Sequence, residues 1–213
     1  MEHKQVTVWA DVRCPWCWIG HRQLGRAIPR LGRDISVEYK SYLLEPDGPP
    51  RPGITVRDAA TSSWGLTESA WNTKRDNIIE SGNKESLNLR IDTALTVDSR
   101  TAHRLLKLAA LRNLDVHRAW DVMYASHFDD NLDFGNGQVL RSIGDRMGLA
   151  DDDIIELLET DSYSDAVLAD HLAGQAVGVR SVPTVMVGTQ RVNGDLEVGL
   201  VRLMTASRSE AER

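Results

Sequence analysis

The chain opens on an alternation. In "QVTVWA" (5–10) Val6 and Val8 share one face with polar residues between them, the period of a strand, and "DVR" then leads into "CPWCWIG". After Pro15 the period changes. Trp18, Ile19, Leu24, Ala27, Ile28 and Leu31 recur at helical spacing until Gly32 and Asp34 interrupt them, which predicts a helix of about four turns. "ISVEYKSYLL" (35–44) alternates again, with Ile35, Val37, Tyr39 and Ser41 on one side, and "EPDGPPRPG" (45–53) ends it. The opening therefore reads strand, helix, strand.

Beyond residue 55 the pattern is helical. The segments 102–113, 117–128, 139–148, 152–159 and 164–178 all carry apolar residues at a period near 3.6, with Ser99, Asp115, Asp151 and Ser164 placed as helix starts and Gly148 and Gly178 as left-handed stops. "VPTVMV" (182–187) is apolar and β-branched, "GTQ" turns, "RVNG" returns, and 196–207 is again helical in period. The predicted architecture is α/β. Residues 1–54 and 178–213 form one domain, and 55–177 form a helical domain inserted into it.

Composition narrows the function. The chain has 213 residues, 41% hydrophobic and 26% charged, which suits a globular protein with one core or one core plus an insertion. A net charge of −6 with dispersed basic residues argues against nucleic acid as a partner. No apolar run approaches the roughly 18 residues of a membrane span, and the start lacks an apolar signal core of about 7–15 residues, so the expected location is the cytoplasm, with no membrane partner. In a reducing compartment the two cysteines are not expected to form a persistent structural disulfide. They are catalytic, metal-binding or packed.

The local sequence favours catalysis. Proline is preferred at the first helical position because its missing N–H would be unpaired there anyway, so Pro15 at that position makes Cys14 the N-cap. The backbone N–H groups of Trp16 and Cys17 would then point toward the Cys14 sulfur at the positive end of the helix dipole, with Arg13 as a further cation, an environment that stabilises negative charge on sulfur. Cys17 falls one turn later, where its side chain leans back over the same face and reaches Cys14 without backbone movement. The two residues between the cysteines, Pro15 and Trp16, are positions that tune the couple. A zinc site would need two more ligands from six scattered histidines, none in the paired spacing such sites use, so no metal is expected. An inert packed pair is the remaining bland reading. His103 reads as a packed or capping imidazole, and His21 as a surface position on the first helix.

The second informative stretch is "GVRSVPTVMV" (178–187). Pro183 can simply open a strand. Were the Val182–Pro183 bond cis, the backbone before it would face outward and could pair with an extended substrate beside Cys14.

Taken together, "CPWCWIG", "SRTAHRLLKLA" (99–109) and "GVRSVPTVMVG" resemble the thioredoxin superfamily in its DsbA-like form, and more narrowly its cytosolic FrnE-type branch. The resemblance covers nearly the whole chain. It implies a thioredoxin-like fold of four-stranded mixed sheet with an inserted all-helical domain, and a thiol–disulfide oxidoreductase acting on protein or small-molecule disulfides. By the same resemblance Cys14 attacks, Cys17 resolves, Pro183 is the cis-proline and the Val182 backbone meets substrate, with Pro15 and Trp16 beside it. The family usually has Asn-Thr where this chain has Asp98 and Ser99, and often an aromatic where it has Val185. The related 2-hydroxychromene-2-carboxylate isomerase and kappa-class glutathione transferase group shares the insertion but carries a serine at the helix start; for it glutathione would be the co-substrate. A redox-inactive peptide-binding or chaperone module is the third alternative. No resident cofactor is expected beyond the dithiol itself. The sequence does not fix the oligomeric state.

Overall fold

A computed structural model describes residues 4–32 and 35–211, without side-chain detail for 206–211. Four strands form one mixed sheet in the order β2-β1-β3-β4. Strand β1 (Lys4–Ala10) pairs in parallel with β2 (Ile35–Ser41), Val8 opposite Tyr39. On its other edge β1 pairs antiparallel with β3 (Thr184–Val187), Val8 opposite Val185, and β3 turns into the short β4 (Gln190–Arg191). The N-terminal strands and residues 184–191 thus share a sheet, as a thioredoxin-like fold requires.

The alternation in β1 sorts its side chains as read. Val6, Val8 and Ala10 are buried in the main core, while Trp9 points to the other face against Val179 and Met186. Helix α1 (Pro15–Leu31) packs against α9 (Leu196–Ala211). On the Trp9 side the sheet meets α8 (Ser164–Ala176), where Gly174 comes so close that a Cβ would sit 2.8 Å from the indole.

Between β2 and β3 lie α2 (Val56–Ser62), α3 (Glu68–Lys84), α4 (Arg100–Leu111), α5 (Val116–Phe128), α6 (Gly137–Met147), α7 (Asp151–Glu159) and α8. The sequence pattern did not single out α2 and α3. Helix α3 buries only Trp71, Ile78 and Gly82 of its 17 residues, too sparse a stripe to show as a period. The apolar core is continuous from the sheet into these helices: Trp18 of α1 stacks near Tyr124 and Phe128 of α5, with ring centroids 6.4 and 6.2 Å away.

Of the four expected caps, Asp115 accepts from the Arg118 N–H as read. Asp151 and Ser164 are instead the first helical residues, after Ala150 and Tyr163, and Ser99 stands at the N-cap without capping because its hydroxyl is turned to Asp11. Gly148 and Gly178 both have φ in the left-handed region, 94° and 79°. His21 is not on the surface. It is buried between α1 and α5, its ring stacked 3.8 Å from that of His117 and its Nδ1 2.7 Å from the Tyr39 hydroxyl.

His127 is buried beside Phe128 and Phe134 with no hydrogen-bond partner for Nδ1. Burial, aided by the positive charge of Arg13, holds its imidazole down to about 3. Its neutral form is thus the folded form. Stability is complete above the unfolded value near 6.5 and falls as pH drops from there toward 3, by about 2 kcal/mol between pH 6.5 and 5. Urea midpoints for His127→Leu should lose that share of the acid sensitivity; an unchanged slope between pH 7 and 5 would reject the assignment.

Candidate active site

Strand β1 ends at Ala10, and the turn after it delivers Cys14 to the N-cap of α1 with Pro15 at the first helical position. The turn is held by the Cys14 N–H donating to the Asp11 carbonyl at 3.1 Å, and the helix starts when the Cys17 N–H donates to the Cys14 carbonyl at 2.9 Å. Cys14 and Cys17 are both free thiols, 5% and 2% exposed. Cys17 lies deeper, one turn along.

The sulfur of Cys14 is not the cap that the sequence suggested. No backbone N–H donates to it, since the carbonyl of Cys14 takes the Cys17 N–H; the thiol instead donates to the Val182 carbonyl at 3.5 Å. Arg13 is not a free cation beside it either. Its guanidinium pairs with Glu45 at 2.7 Å. The Val182–Pro183 peptide is cis, and Pro183 packs on α1: a Cβ on Gly20 would lie 3.1 Å from the proline Cγ and 2.7 Å from Leu196 Cδ1. The absence of a side chain at Gly20 is what lets the proline loop and the start of α9 seat against α1.

Cys14 and Val182 therefore meet, and Pro15 and Trp16 separate the two cysteines. Trp16 is 42% exposed and, with Pro183, lines an open groove of about 650 Å³ that runs from there along α1, shared with Ile19, Gln23, Lys84 and Arg191; neither cysteine lines it. Pro15 is half-buried outside the groove and acts through the helix start.

Sequence reasoning passed over Asp11, three residues before Cys14. It is fully buried, yet it is the hub of the site. Oδ1 accepts from the Arg13 N–H at 2.9 Å and Oδ2 from the Leu44 N–H at 2.7 Å, the Ser99 hydroxyl lies 3.5 Å away, and His103 Nε2 stands 3.6 Å from Oδ1. Burial pushes its carboxyl up, but His103 and the two N–H donors outweigh this and hold it below the usual carboxylate value. His103, also fully buried, packs edge-on to Trp120, as a packed imidazole would. The neighbouring residues of its helix tie the layers together: Arg104 donates to the carbonyls of Leu157, Thr160 and Ser162 at the end of α7, and Lys107 pairs with Asp170 of α8. The available signal was a lone charge directly after an inward-facing strand, next to Val12 and Ala10.

Cys17 is set apart electrically. Burial, the hydrogen bond and charge of Cys14, and the negative charge of Asp11 raise its thiol well above its ordinary value, despite a backbone hydrogen bond at Asp11 that opposes them. Iodoacetamide at pH 7 should accordingly label Cys14 at least about tenfold faster than Cys17, read by peptide mass mapping; equal labelling would mean that the two sulfurs are not differentiated.

Residues 5–203 match the DSBA-like thioredoxin domain. The chain belongs to that family. Among solved structures, this DSBA-like chain is similar to a probable DsbA oxidoreductase from Streptomyces coelicolor, with 24% identity, a TM-score of 0.88, and coverage of 98% of this chain and 91% of that one. It also resembles the cytosolic disulfide reductase DsbM from Pseudomonas aeruginosa, at 14% identity, TM-score 0.62 and 98% coverage of both chains. A 2-hydroxychromene-2-carboxylate isomerase is similar too, at 12% identity, TM-score 0.69 and 98% coverage of both. No curated protein sequence matches the chain. Among its described residues the DSBA-like chain has no helix long and apolar enough to cross a membrane, and no grouping of three or more His, Cys, Asp or Glu side chains able to hold a metal ion.

Proposed function

We propose that this chain is a dithiol–disulfide oxidoreductase in which Cys14 attacks and Cys17 resolves. The observation that carries the reading is the pair of free thiols one turn apart at the start of α1, the outer one directed at the Val182 carbonyl on the proline loop. In the reducing direction the Cys14 thiolate attacks one sulfur of a substrate disulfide. The Cys14–substrate S–S bond forms, the substrate S–S bond breaks, and the released thiolate takes a proton. Cys17, deprotonated, then attacks the Cys14 sulfur; the Cys14–Cys17 bond forms and the second substrate thiol leaves. Two electrons pass from dithiol to substrate, and an external dithiol returns them. Oxidation is the same sequence reversed.

In this reading burial, reinforced by Cys14 and to a smaller degree by the charge of Asp11, keeps Cys17 protonated while Cys14 is free, so that the outer thiol is the one that attacks. The Val182 backbone and Pro183 bound the segment that carries the substrate disulfide, with Trp16 on the other side and Pro15 fixing the helix start. The working compartment proposed is the cytoplasm, as for the cytosolic reductase that shares the fold. Glutathione enters as a co-reactant that reduces or caps Cys14 and needs no site of its own. The partners are thiol- or disulfide-bearing substrates.

The test is dithiothreitol-driven reduction of insulin. The wild type should accelerate precipitation of the insulin B chain, while Cys17→Ser should stall as an enzyme–substrate mixed disulfide visible by mass at Cys14. Wild-type rates equal to the uncatalysed control, with both thiols intact, would overturn the proposal.

A further inference from the structure

The groove that starts at Trp16 and Pro183 has a charge pattern that the exchange chemistry does not need. Four ionisable side chains line it: Lys84, Glu85, Arg191 and Asp195. Of the two anions, Glu85 is ion-paired within the fold and Asp195 faces the positive end of α9, which offsets part of its charge. Glu85 is held by Arg26, with Gln23 Nε2 a further 3.3 Å donor, and Asp195 accepts from the Val198 N–H at 3.0 Å at the start of α9. The two cations are not spent. Arg191 gives one of its five N–H donors to the Gly178 carbonyl, at 3.0 Å, and is otherwise turned to the exposed surface. Among the described residues Lys84 pairs with Glu80, one turn back on the same helix, and both side chains of that pair are about two-thirds exposed, the kind of pair that water and salt largely dissolve.

These cations come from different parts of the molecule, Lys84 from the last turn of α3 and Arg191 from β4, yet they line the same groove as Trp16 and Pro183, the residues flanking the reacting sulfur. The chain as a whole carries −6, a charge that repels acidic partners at long range, but at physiological salt fields decay over about 8 Å and the charges lining the groove decide. From this the geometry points to substrate selection by charge: the groove takes an extended polypeptide segment with acidic residues a few positions away from its disulfide-bonded cysteine, the carboxylates pairing with Lys84, which stands near Gln23 nine residues past Cys14 on α1, and with Arg191. This rests on the dithiol reading above and names its substrate class.

The experiment uses three disulfide-linked peptide probes, identical except for Glu, Gln or Lys at positions about three to five residues on either side of the cysteine, the reach of an extended chain along the groove. Each is reduced by the wild type and by Lys84→Gln, Arg191→Gln and the double variant, both positions being exposed. Hydroxyethyl disulfide, uncharged and small, reports the exchange chemistry alone. The wild type should prefer the Glu probe over the Lys probe by about tenfold in kcat/KM at low salt, carried mainly by KM. The preference should shrink in 0.5 M salt, where the screening length falls to about 4 Å, and fall below about twofold in the double variant. Equal kcat/KM for the Glu and Lys probes, or a preference that survives the double substitution, would overturn the proposal while hydroxyethyl disulfide is still turned over. Loss of hydroxyethyl disulfide turnover in the wild type would instead bring down the dithiol reading and this one with it. Glutathione disulfide is run alongside. If the two cations govern its KM and leave the peptides unaffected, the carboxylate belongs to a small thiol and the polypeptide assignment is wrong.

Discussion

Cys14→Ser is expected to reduce dithiol-driven disulfide turnover to the uncatalysed background, a loss of at least about 10³-fold. The hydroxyl of serine is far less nucleophilic at neutral pH than a thiolate and forms no stable bond to sulfur, so neither the mixed disulfide nor the intramolecular one can form. The variant is informative because the fold should tolerate it. Cys14 is the N-cap of α1, a position where serine is among the preferred residues, and the side chain makes one long hydrogen bond, 3.5 Å to the Val182 carbonyl, that a hydroxyl can replace. Unchanged urea unfolding together with absent insulin reduction would assign the chemistry to the sulfur. Retained turnover would remove Cys14 from the attacking role.

The second large effect belongs to Asp11. Asp11→Ala should cost about 3–5 kcal/mol of stability, measured as a lowered urea midpoint, because the part-buried N–H groups of Arg13 and Leu44 lose their acceptor and the buried His103 loses the charge beside it. The pH dependence has a definite sign. The carboxyl is held below its ordinary value of 3.8 in the folded state, so its stabilisation is present above that value and is lost as pH falls through the folded one; the variant should lack this part of the acid limb. Asp11→Asn removes the charge with the smallest change in shape, although its single amide oxygen can accept from only one of the two N–H groups. The charge it removes helps to keep Cys17 protonated. In a Cys14→Ser background, the alkylation of Cys17 should then move to lower pH. A profile identical to that of Cys14→Ser alone would show that Asp11 only braces the turn.

Much of this was legible in the primary structure, for a reason that differs from element to element. Strand β1 and helix α1 could be read because their buried residues follow one period each: Val6, Val8 and Ala10 inward, then Trp18, Leu24, Ala27 and Leu31. The dithiol and the proline loop could be read because cysteine and proline carry their chemistry with them. Helix α3 could not, since only Trp71, Ile78 and Gly82 face the interior. His21 was misplaced because its burial depends on His117, 96 positions later, and on Tyr39 across the sheet. Asp11 escaped for the same reason. A charged residue after a strand reads as a solvated turn until Leu44, Ser99 and His103 are known to converge on it. Local order shows in sequence; convergence from distant segments does not.

That separation has a consequence in time. The contact between the Cys14 sulfur and the Val182 carbonyl spans 168 residues, and β1 receives its antiparallel neighbour only with β3. At synthesis rates of about 5–20 residues per second, the dithiol exists for roughly 8–35 s before the ribosome has made the loop that faces it. During that interval Cys14 and Cys17 belong to a chain with no groove and no proline loop, open to any oxidant or nascent thiol in reach. On the proposed function, the newborn protein would be a promiscuous reagent that becomes a selective one only when about its last sixth arrives.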